Sequence, residues 1–454
     1  MLRDYHHFLL SLLLYSASGP VLGAGPELLM ILADGVAAPE SVPASSAQPG
    51  KDQDRSGMGF RSSGFDLSGW KLVWRDEFDG SEEDLDARWE SQNGPSGHIL
   101  CSRWRENVSV SNGTLKLTNR KEKRGGQEWT SGSIWTREQF RYGYYECRYR
   151  YATAPATNNS FWLMTLGPDP EKGKRFEIDI NEGHYPSEVN TNIHNWTDIT
   201  TREDGSKSHP SDSETFPFGV SQDRVVQLEI PVSTRRIRLV SEQVGRVNIG
   251  EFQIFGVSDS GYPDIMKSGD SRPGLFDFVK DAGTTISVSG HYKPDSPQSM
   301  SVLKDGNPNT AWSSNVEGPK SIEFVFDEPR TVGCVQFSNG WKGKEGLGVY
   351  LTEYRLEYFD GKKWVDMSTF NLAEGEFDFS RDFHTYGLEW NEDEIIFYFN
   401  GQELRREKNE FAHGPSPIWL SLAIISWSGE VTDAIDGTSM EVDYVRYYQK
   451  KDRG

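Results

Sequence analysis

The sequence predicts an all-β fold, and three observations support this prediction. From residue 70 onward, short runs of β-branched and aromatic residues are separated by Gly, Asn, Asp and Pro, which is the pattern of strands joined by turns. Long stretches with the periodicity of an amphipathic helix are absent from the sequence. Of the 454 residues, 35% are hydrophobic and 12% are aromatic, which is enough to fill the cores of two or three packed domains.

The charge balance and the N-terminus predict a secreted protein, extracellular or periplasmic. The chain has 48 basic and 68 acidic residues and a net charge of −20, which argues against a nucleic-acid partner. A short basic start, the apolar run Phe8–Tyr15 and small residues up to Ala24 predict a signal peptide at residues 1–24. Residues 25–65, rich in Pro, Ser, Gly and Ala, are predicted to be a flexible linker. Because no later stretch is apolar enough to cross a bilayer, the sequence predicts no membrane span.

The cysteines do not predict a disulfide framework, because the chain has only three of them, Cys101, Cys147 and Cys334, and three is an odd number. A bridge between Cys101 and Cys147 is one interpretation, and free thiols are the other. No group of His and Cys residues has the spacing of a zinc site.

The stretch Arg175–Gly183 carries three acids, Glu177, Asp179 and Glu182, on what is otherwise a strand sequence. Side chains alternate between the two faces of a strand, so Glu182 would point away from the other two. A β-bulge near residues 180–181 adds one residue and returns Glu182 to their face. Converging acids repel each other, and their usual use is a nucleophile, an acid/base group and a third carboxylate that tunes the nucleophile. The alternative is a solvated edge strand.

Several motifs flank the acid stretch and decide between these interpretations. These motifs are Trp74–Asp79 (WRDEFD), Asn107–Leu117 (NVSVSNGTLKL), Tyr142–Glu146 (YGYYE), Asn159–Leu163 (NSFWL) and Met440–Tyr448 (MEVDYVRYY). Together with the acid stretch they resemble glycoside hydrolase family 16, whose members are endo-acting enzymes on a concanavalin-like β-jelly-roll sandwich. The resemblance covers roughly residues 66–215 and 378–449, and it implies a catalytic jelly-roll in two parts, 66–219 and 378–450.

The resemblance implies that Glu177 is the nucleophile and Glu182 the acid/base of a retaining, double-displacement hydrolase. Asp179 would hydrogen-bond the nucleophile and, by like-charge repulsion, help to hold the proton of the acid/base. Such a reaction needs no redox or organic cofactor. Many family members hold a structural calcium ion, for which Asp443 is the candidate side-chain ligand here.

Residues 220–377 interrupt the jelly-roll and contain segments in an unexpected order. These segments are Arg235–Leu239 and Val247–Gly256, followed by Leu303–Trp312, Ser321–Phe326 and Tyr354–Trp364. They resemble a discoidin-type domain (F5/8 type C, carbohydrate-binding family 32, a galactose-binding-like β-sandwich) whose last strands come first. We interpret them as a circularly permuted discoidin-like domain inserted into a loop of the jelly-roll, and two partial domains are the alternative.

The function predicted for this insert is either sugar binding or bracing of the catalytic domain. Trp341 has a loop-like setting and is the candidate sugar-stacking residue, whereas Trp312 and Trp364 occupy core positions of the resembled fold. Three positions of the insert resemble a loop that often holds structural calcium through oxygen ligands. These positions are Asp305, Asn307 and Thr310.

Substrate binding is expected to use aromatic faces stacked on sugar rings, together with local guanidinium groups. With 14 Trp in the chain, some of the aromatic candidates must instead be core residues. In a chain of net charge −20, clustered Arg residues can bind sulfate, although pairing with the surplus acids is the alternative. The aromatic candidates are Trp104, Trp135, Trp162, His194, Trp196 and Trp427, and the arginines are Arg103, Arg105, Arg137, Arg150 and Arg175.

The predicted function is therefore secreted endo-hydrolysis of the β-1,4 linkages of a red-algal galactan of carrageenan, furcellaran or agar type, sulfated or not, by a monomeric enzyme. The E-x-D-x-x-E spacing excludes the lichenase form of the family, which lacks the bulge. A β-1,3-glucanase acting on laminarin is the second hypothesis. A catalytically inactive secreted lectin is a hypothesis of another class, and a structural adhesion protein is a third that leaves the acids unexplained.

Overall fold

The computed structural model describes residues 64–265, 275–307 and 309–451. The predicted signal peptide and almost all of the predicted linker lie outside the described residues. Within the described ranges the fold is all-β, as predicted, with one α-helix, α1 (Glu82–Arg88). No helix in this part of the chain has the length and hydropathy needed to cross a membrane.

The strands fall into three runs along the chain. The first run is β1 (Trp70–Asp76), β2 (Trp89–Ser91), β3 (Cys101–Arg103), β4 (Val108–Ser111), β5 (Thr114–Thr118), β6 (Trp129–Ser131), β7 (Ser133–Thr136), β8 (Gly143–Arg150), β9 (Thr157–Met164), β10 (Phe176–His184), β11 (Glu188–Asn195), β12 (Thr200–Thr201), β13 (Lys207–Ser208) and β14 (Ser211–Pro217). The second is β15 (Asp223–Ser241), β16 (Asn248–Phe255), β17 (Thr285–Val288), β18 (Trp312–Ser313), β19 (Lys320–Asn339), β20 (Trp341–Gly343), β21 (Gly346–Gly348), β22 (Glu353–Phe359) and β23 (Trp364–Asn371). The third is β24 (His384–Trp390), β25 (Glu394–Phe399), β26 (Gln402–Lys408), β27 (Ile418–Ile424) and β28 (Ser439–Lys450).

Two large sheets enclose the main hydrophobic core and form the jelly-roll sandwich. The first sheet has the order β26-β25-β24-β8-β28-β5-β4, with β1 paired to β28. The second has the order β2-β7-β27-β9-β10-β11-β14-β21-β20. Alternate residues of the second sheet point into the core, including Leu163, Ile178 and Leu420, each with no exposed surface. The residues between them therefore point to the outer face of the second sheet.

A third sheet, of order β18-β16-β19-β15-β22-β23 with β17 on β19, has a hydrophobic core of its own within residues 237–356. Trp312 is fully buried in this core, in agreement with the structural role read from the sequence. Trp364 is partly buried, with the guanidinium of Arg238 4.1 Å from its ring centroid. The circularly permuted origin of this region stays a prediction.

The hairpin β20–β21 lies inside the predicted insert but does not join the third sheet. It extends the edge of the second sheet, because Gly346 of β21 pairs with Thr215 of β14. The segment that carries Trp341 is thus part of the sheet that carries the three acids.

The described cysteines, Cys101, Cys147 and Cys334, are all buried and free. The Cys101–Cys147 bridge that the sequence left open is therefore not formed. Burial raises the pKa of the Cys147 thiol well above its ordinary value, which keeps it protonated.

Candidate active site

The strand β10 carries the three acids, and its register shows how they come together. Asp179 pairs with Asn192 of β11, and Glu182 pairs with Asn190. Three steps along β10 thus match two steps along β11, so β10 contains one extra residue between Asp179 and Glu182. The predicted bulge is confirmed, and it places Glu182 on the outer face with Glu177 and Asp179.

Two tyrosines fix the bulge from the core side: Tyr149 in β8, and Tyr151 directly after β8. The Asn181 amide points inward and donates hydrogen bonds to the hydroxyls of Tyr149 at 2.6 Å and Tyr151 at 2.9 Å. Gly183 comes directly after Glu182, and a Cβ there would lie 2.3 Å from the Tyr151 ring. Only glycine therefore lets the strand leave the bulge against this ring.

Two of the three carboxylates are held by neutral donors from neighbouring strands. The indole N–H of Trp196 donates to Glu177 Oε2 at 2.9 Å. The amide of Asn158 donates to Glu182 Oε1 at 2.6 Å, and the amide of Asn192 donates to Glu182 Oε2 at 2.8 Å. Among the described residues, both glutamates are thus oriented by neutral donors and not by ion pairs.

The third acid, Asp179, is the most buried of the set at 3% exposure and faces a pair of histidines. His194 Nε2 lies 3.3 Å from Asp179 Oδ2, and His194 Nδ1 lies 3.0 Å from His209 Nε2. The His209 ring also covers Trp196, with 3.8 Å between ring centroids. The contact between His194 and His209 is a hydrogen bond, whereas Asp179 Oδ2 has no hydrogen-bond partner among the described residues.

The electrostatics of the site favour proton uptake by the acids. Burial, and then the charge of Asp179, raises the pKa of Glu177 to about 8. Burial, and then the charge of Glu182, raises the pKa of Asp179 well above its ordinary value. Burial, and then the charge of His194, lowers the pKa of His209 to about 4, so His209 is neutral near pH 7. Glu177 and Asp179 thus both hold a proton more tightly than an exposed carboxyl does.

The acids line a cleft of about 410 Å³ on the outer face of the second sheet. Five of the predicted substrate-binding residues line this cleft with them, and Trp427 is the most open of its aromatic residues at 62% exposure. Two further basic residues, two histidines and an asparagine join them. The predicted residues found here are Arg103, Trp162, His194, Trp196 and Trp427, and the additional ones are His98, Arg202, Lys207 and His209 together with Asn158.

A row of three stacked tryptophans leads from the acids toward the other edge of the sheet. Trp162 pairs with Asp179, Trp419 with Trp162, and Trp135 with Trp419, on successive strands. The ring centroids of Trp162 and Trp419 are 4.7 Å apart, and those of Trp419 and Trp135 are 4.5 Å apart. Trp135 therefore belongs to this row rather than to the wall of the cleft.

Three of the predicted arginines are engaged away from the cleft. Arg105 reaches the helix α1, and both its carboxylate partners lie at 2.6 Å. Arg137 and Arg175 are also held by nearby acids, so the alternative of pairing with surplus carboxylates is the correct one for these residues. The acidic partners are Glu82 and Asp86 for Arg105, Glu90 for Arg137, and Asp169 for Arg175.

Trp104 and Arg150 are also placed elsewhere. The guanidinium of Arg124 covers the Trp104 ring at 3.8 Å, and the indole N–H donates to Ser102 Oγ. Arg150 forms an ion pair with Glu441 at 2.8 Å. The expectation that these residues line the cleft was wrong, because local partners satisfy them first.

Arg103 is the one predicted arginine that reaches the cleft. It is 6% exposed, its Nη1 lies 3.4 Å from Gln92 Oε1, and burial lowers its pKa. The negative charge of Glu182 acts in the opposite direction on this guanidinium. Arg103 thus supplies positive charge beside one of the acids.

The predicted calcium ligands lie in the third sheet and at the closing strand. Thr310 Oγ1 donates to both carboxylate oxygens of Asp305, at 3.0 and 2.9 Å, and the backbone N–H of Asn307 donates to Asp305 Oδ1 at 2.9 Å. Asp443 instead forms an ion pair with Arg148 at 2.5 Å. The Asp443 carboxylate therefore already has a cationic partner.

A second group of side chains could also hold a metal ion. One ligand atom each from Glu177, Asp179 and His194 lies within 4.8 Å of the others. These are the groups at the centre of the cleft, where they also form the contacts described above.

The sequence profile of Glycosyl hydrolases family 16 matches residues 97–219 and 345–446, and the unmatched residues between the two segments contain β15 to β20. The chain is 37% identical over 108 residues to a beta-glucanase of Acetivibrio thermocellus, which covers 23% of this chain and 31% of that protein. It is 28% identical over 172 residues to beta-porphyranase B of Zobellia galactanivorans, which covers 34% of this chain and 54% of that protein. The chain thus spans between a third and about half of the length of these relatives.

A solved endo-beta-1,3-glucanase structure from Pyrococcus furiosus aligns with a TM-score of 0.41 at 17% identity, over 84% of this chain and 95% of that one. The profile match begins in the loop before β3 and resumes in the turn of the hairpin β20–β21, so it includes β10, β11 and β14. The segments that build the cleft are the segments that match, and the chain belongs to glycosyl hydrolase family 16.

Proposed function

We propose that this chain is a retaining endo-glycoside hydrolase that cuts a polysaccharide by double displacement. The observation that carries the proposal is the convergence of Glu177, Asp179 and Glu182 on one cleft through the bulge of β10. Each acid has its own partners, which suits three separate roles: an indole donor for Glu177, two amides for Glu182, and an imidazole for Asp179.

In the first half-reaction, a carboxylate oxygen of Glu177 bonds to the anomeric carbon while the glycosidic C–O bond breaks. Glu182 gives its proton to the departing oxygen. In the second half-reaction, Glu182 takes a proton from water, whose oxygen bonds to the anomeric carbon and releases Glu177. Asp179, whose pKa is raised by burial, keeps a proton, which removes one like charge beside Glu177 and lets the nucleophile ionise.

For the substrate, we propose a β-1,4-linked red-algal galactan with anionic substituents. The support is a group of basic side chains on the cleft wall, Arg103, Arg202 and Lys207, in a chain whose net charge is −20. Guanidinium and ammonium groups bind sulfate in such a setting. The name of one relative, beta-porphyranase B, also favours a galactan as the substrate.

A β-1,3-glucan is the second candidate substrate. It is favoured by the relative from Acetivibrio thermocellus, whose name is beta-glucanase. The aromatic surfaces of Trp162, Trp196 and Trp427 in the cleft suit a neutral glucan as well as a galactan.

The test is reducing-end release by the chain without residues 1–60 on κ-carrageenan, furcellaran, agarose, porphyran and laminarin. Wild type is compared with Glu177→Gln and, as a matched control, with Glu410→Gln at an exposed position. Release from a galactan that is lost only in Glu177→Gln supports the first candidate, and release from laminarin alone supports the second. Polymer binding without any cleavage by wild type would contradict the enzyme proposal and favour a lectin.

We also propose a structural calcium site beside Asp305, with Glu251 as a ligand that sequence reasoning missed. Glu251 is 1% exposed, it accepts a hydrogen bond from the Gly306 backbone, and its buried Oε2 faces no hydrogen-bond donor among the described residues. Burial raises the pKa of Glu251 to about 7. A buried carboxylate oxygen beside Asp305 fits a cation that prefers oxygen ligands.

A further inference from the structure

The hairpin β20–β21 forms the end of the second sheet, at the edge beyond β14. Its attachment is a parallel pairing of Gly346 with Thr215, and the Thr215 N–H donates to the Glu345 carbonyl at 2.8 Å. Gly346 has φ +98, and a Cβ there would lie 2.4 Å from the Thr215 carbonyl oxygen. Glycine at this position is therefore what allows the hairpin to dock on the sheet.

A continuous row of paired residues joins Glu182 to this hairpin across the strands. Glu182 pairs with Asn190, Asn190 with Thr215, Thr215 with Gly346, and Gly346 with Gly343. Residues that pair directly across a sheet share a face, so the row follows the face on which Glu182 lies. Four strand spacings of about 4.8 Å place the end of the row roughly 19 Å from β10.

Trp341 lies at the end of this row and shares a face with Gly343, two residues along the same strand. A Cβ at Gly343 would meet only the Trp341 ring, at 3.9 Å, and one at Gly348, the residue paired with Trp341, would meet nothing within 4 Å. The ring is 37% exposed. A partly exposed indole therefore stands beside a surface of glycines.

The segment that carries this ring is held firmly to the catalytic sheet. The buried hydroxyl of Tyr350, just after the hairpin, donates to Glu188 of β11. Lys344, in the turn of the hairpin, lies 3.3 Å from Asp212 of β14. Within the row itself, the Thr215 hydroxyl donates to the Asn190 amide oxygen at 2.6 Å. A ring on a fixed edge is suited to receive one unit of an extended ligand.

We propose that Trp341 forms an outlying subsite that binds a sugar unit of the same polysaccharide strand that Glu177 and Glu182 cleave. The proposal rests on the proposed function. The exposed indole stacks on the apolar face of a pyranose ring, while the polar side chains of Asn190 and Thr215 line the path between this subsite and the acids. The insert thereby lengthens the catalytic surface instead of carrying a separate binding site.

The test compares Trp341→Ala with wild type on the polymer that the wild type cleaves and on its shortest cleavable oligosaccharide. We expect KM for the polymer to rise about tenfold with little change in kcat, because only binding far from the reacting bond is lost. The short substrate, which does not reach the hairpin, should be cleaved as before. Lys342→Ala, on the opposite face of the same strand, is the matched control and should behave as wild type, whereas Trp341→Phe should keep most of the affinity.

An unchanged polymer KM would overturn the subsite, and so would an equal loss on both substrates, since that indicates damage to the sheet. Binding is measured separately by retardation of Glu177→Gln in gels that contain the polymer, with and without Trp341→Ala. Loss of retardation in the double variant supports the subsite even if no substrate is cleaved. The binding assay therefore tests the subsite separately from the proposed hydrolysis. Equal retardation of the two variants contradicts the subsite.

Discussion

At the residue scale, Glu177 and Asp179 destabilise the folded chain because they are buried close to other acids. Burial is the largest cause of the raised pKa of both Glu177 and Asp179, and a neighbouring acid is the next. A carboxyl with a raised pKa takes up protons on folding, so its contribution to stability falls as the pH rises. Sites of this kind commonly exchange stability for function.

Replacement of Glu177 by Gln should therefore stabilise the protein while it abolishes activity. The pKa of Glu177 is about 8 in the folded protein and lies near 4.5 when unfolded, so wild-type stability is lost as the pH rises between these values. The variant lacks this loss, and we expect a gain of about 1–2 kcal/mol at pH 8 that shrinks toward pH 5. Thermal unfolding from pH 5 to 9 measures it. Glu410→Gln is the exposed control, and a variant no more stable than wild type at any pH would refute the prediction.

The contact between His209 and His194 should matter for orientation of the site. His209→Phe keeps an aromatic ring over Trp196 but removes the hydrogen bond to His194 Nδ1. Loss of one such bond, worth about 1 kcal/mol, should lower kcat/KM about five- to tenfold and alter its pH profile. His209→Asn, which retains a donor, should recover part of the activity. A pH profile identical to that of wild type in His209→Phe would count against this role.

At the element scale, the bulge in β10 was predictable because the spacing of the acids requires it. Without the extra residue Glu182 would face the core, where Asn181 meets the hydroxyls of Tyr149 and Tyr151.

The row of Trp162, Trp419 and Trp135 was harder to predict from the sequence. Ile418–Ile424 is buried at every position, so no alternation of polar and apolar residues marks Trp419 as a residue of the outer face. The short helix α1 was also missed, although Ser81 and Asp84 form a capping box.

Gly183→Ala tests how tightly the strand end beyond the bulge is fixed. The added Cβ would lie 2.3 Å from the Tyr151 ring, so strand or ring must shift. We expect a loss of about 1–3 kcal/mol in stability and a disproportionate loss of kcat, because Glu182 is the adjacent residue. Gly69→Ala, where a Cβ would contact nothing within 4 Å, is the control. Unchanged unfolding and kcat in Gly183→Ala would contradict a rigid bulge.

At the scale of the whole molecule, the cleft joins segments far apart in the sequence, and this limited the prediction of substrate contacts. Arg103 was correctly placed, but Arg105 was assigned to the cleft without knowledge that α1 would offer Glu82 and Asp86. Pairing of this kind depends on the fold and not on local spacing. The position of Trp341 was hidden for the same reason, since only the pairing of Gly346 with Thr215 shows which sheet the hairpin joins.

The calcium proposal makes a prediction for the stability of the third sheet. Calcium at one hundred times its dissociation constant should add about 2.7 kcal/mol to the free energy of unfolding of the unit that binds it, and a chelator should reverse the gain. Glu251→Gln should remove the response, whereas Glu317→Gln at an exposed position should keep it. The measurement is thermal unfolding with calcium or with a chelator. Equal calcium responses in both variants would exclude Glu251 as a ligand.

The assignment of Glu177 as nucleophile and Glu182 as acid/base is tested most directly by the anomeric form of the first product. Proton NMR of a fresh digest of the cleaved polymer should show the new reducing end in the β configuration before it equilibrates with the α form, because two displacements retain the configuration of the substrate. Retention, lost together with all cleavage in Glu177→Gln, is the expected result. An α product at the earliest times would mean a single displacement by water and would contradict a covalent role for Glu177.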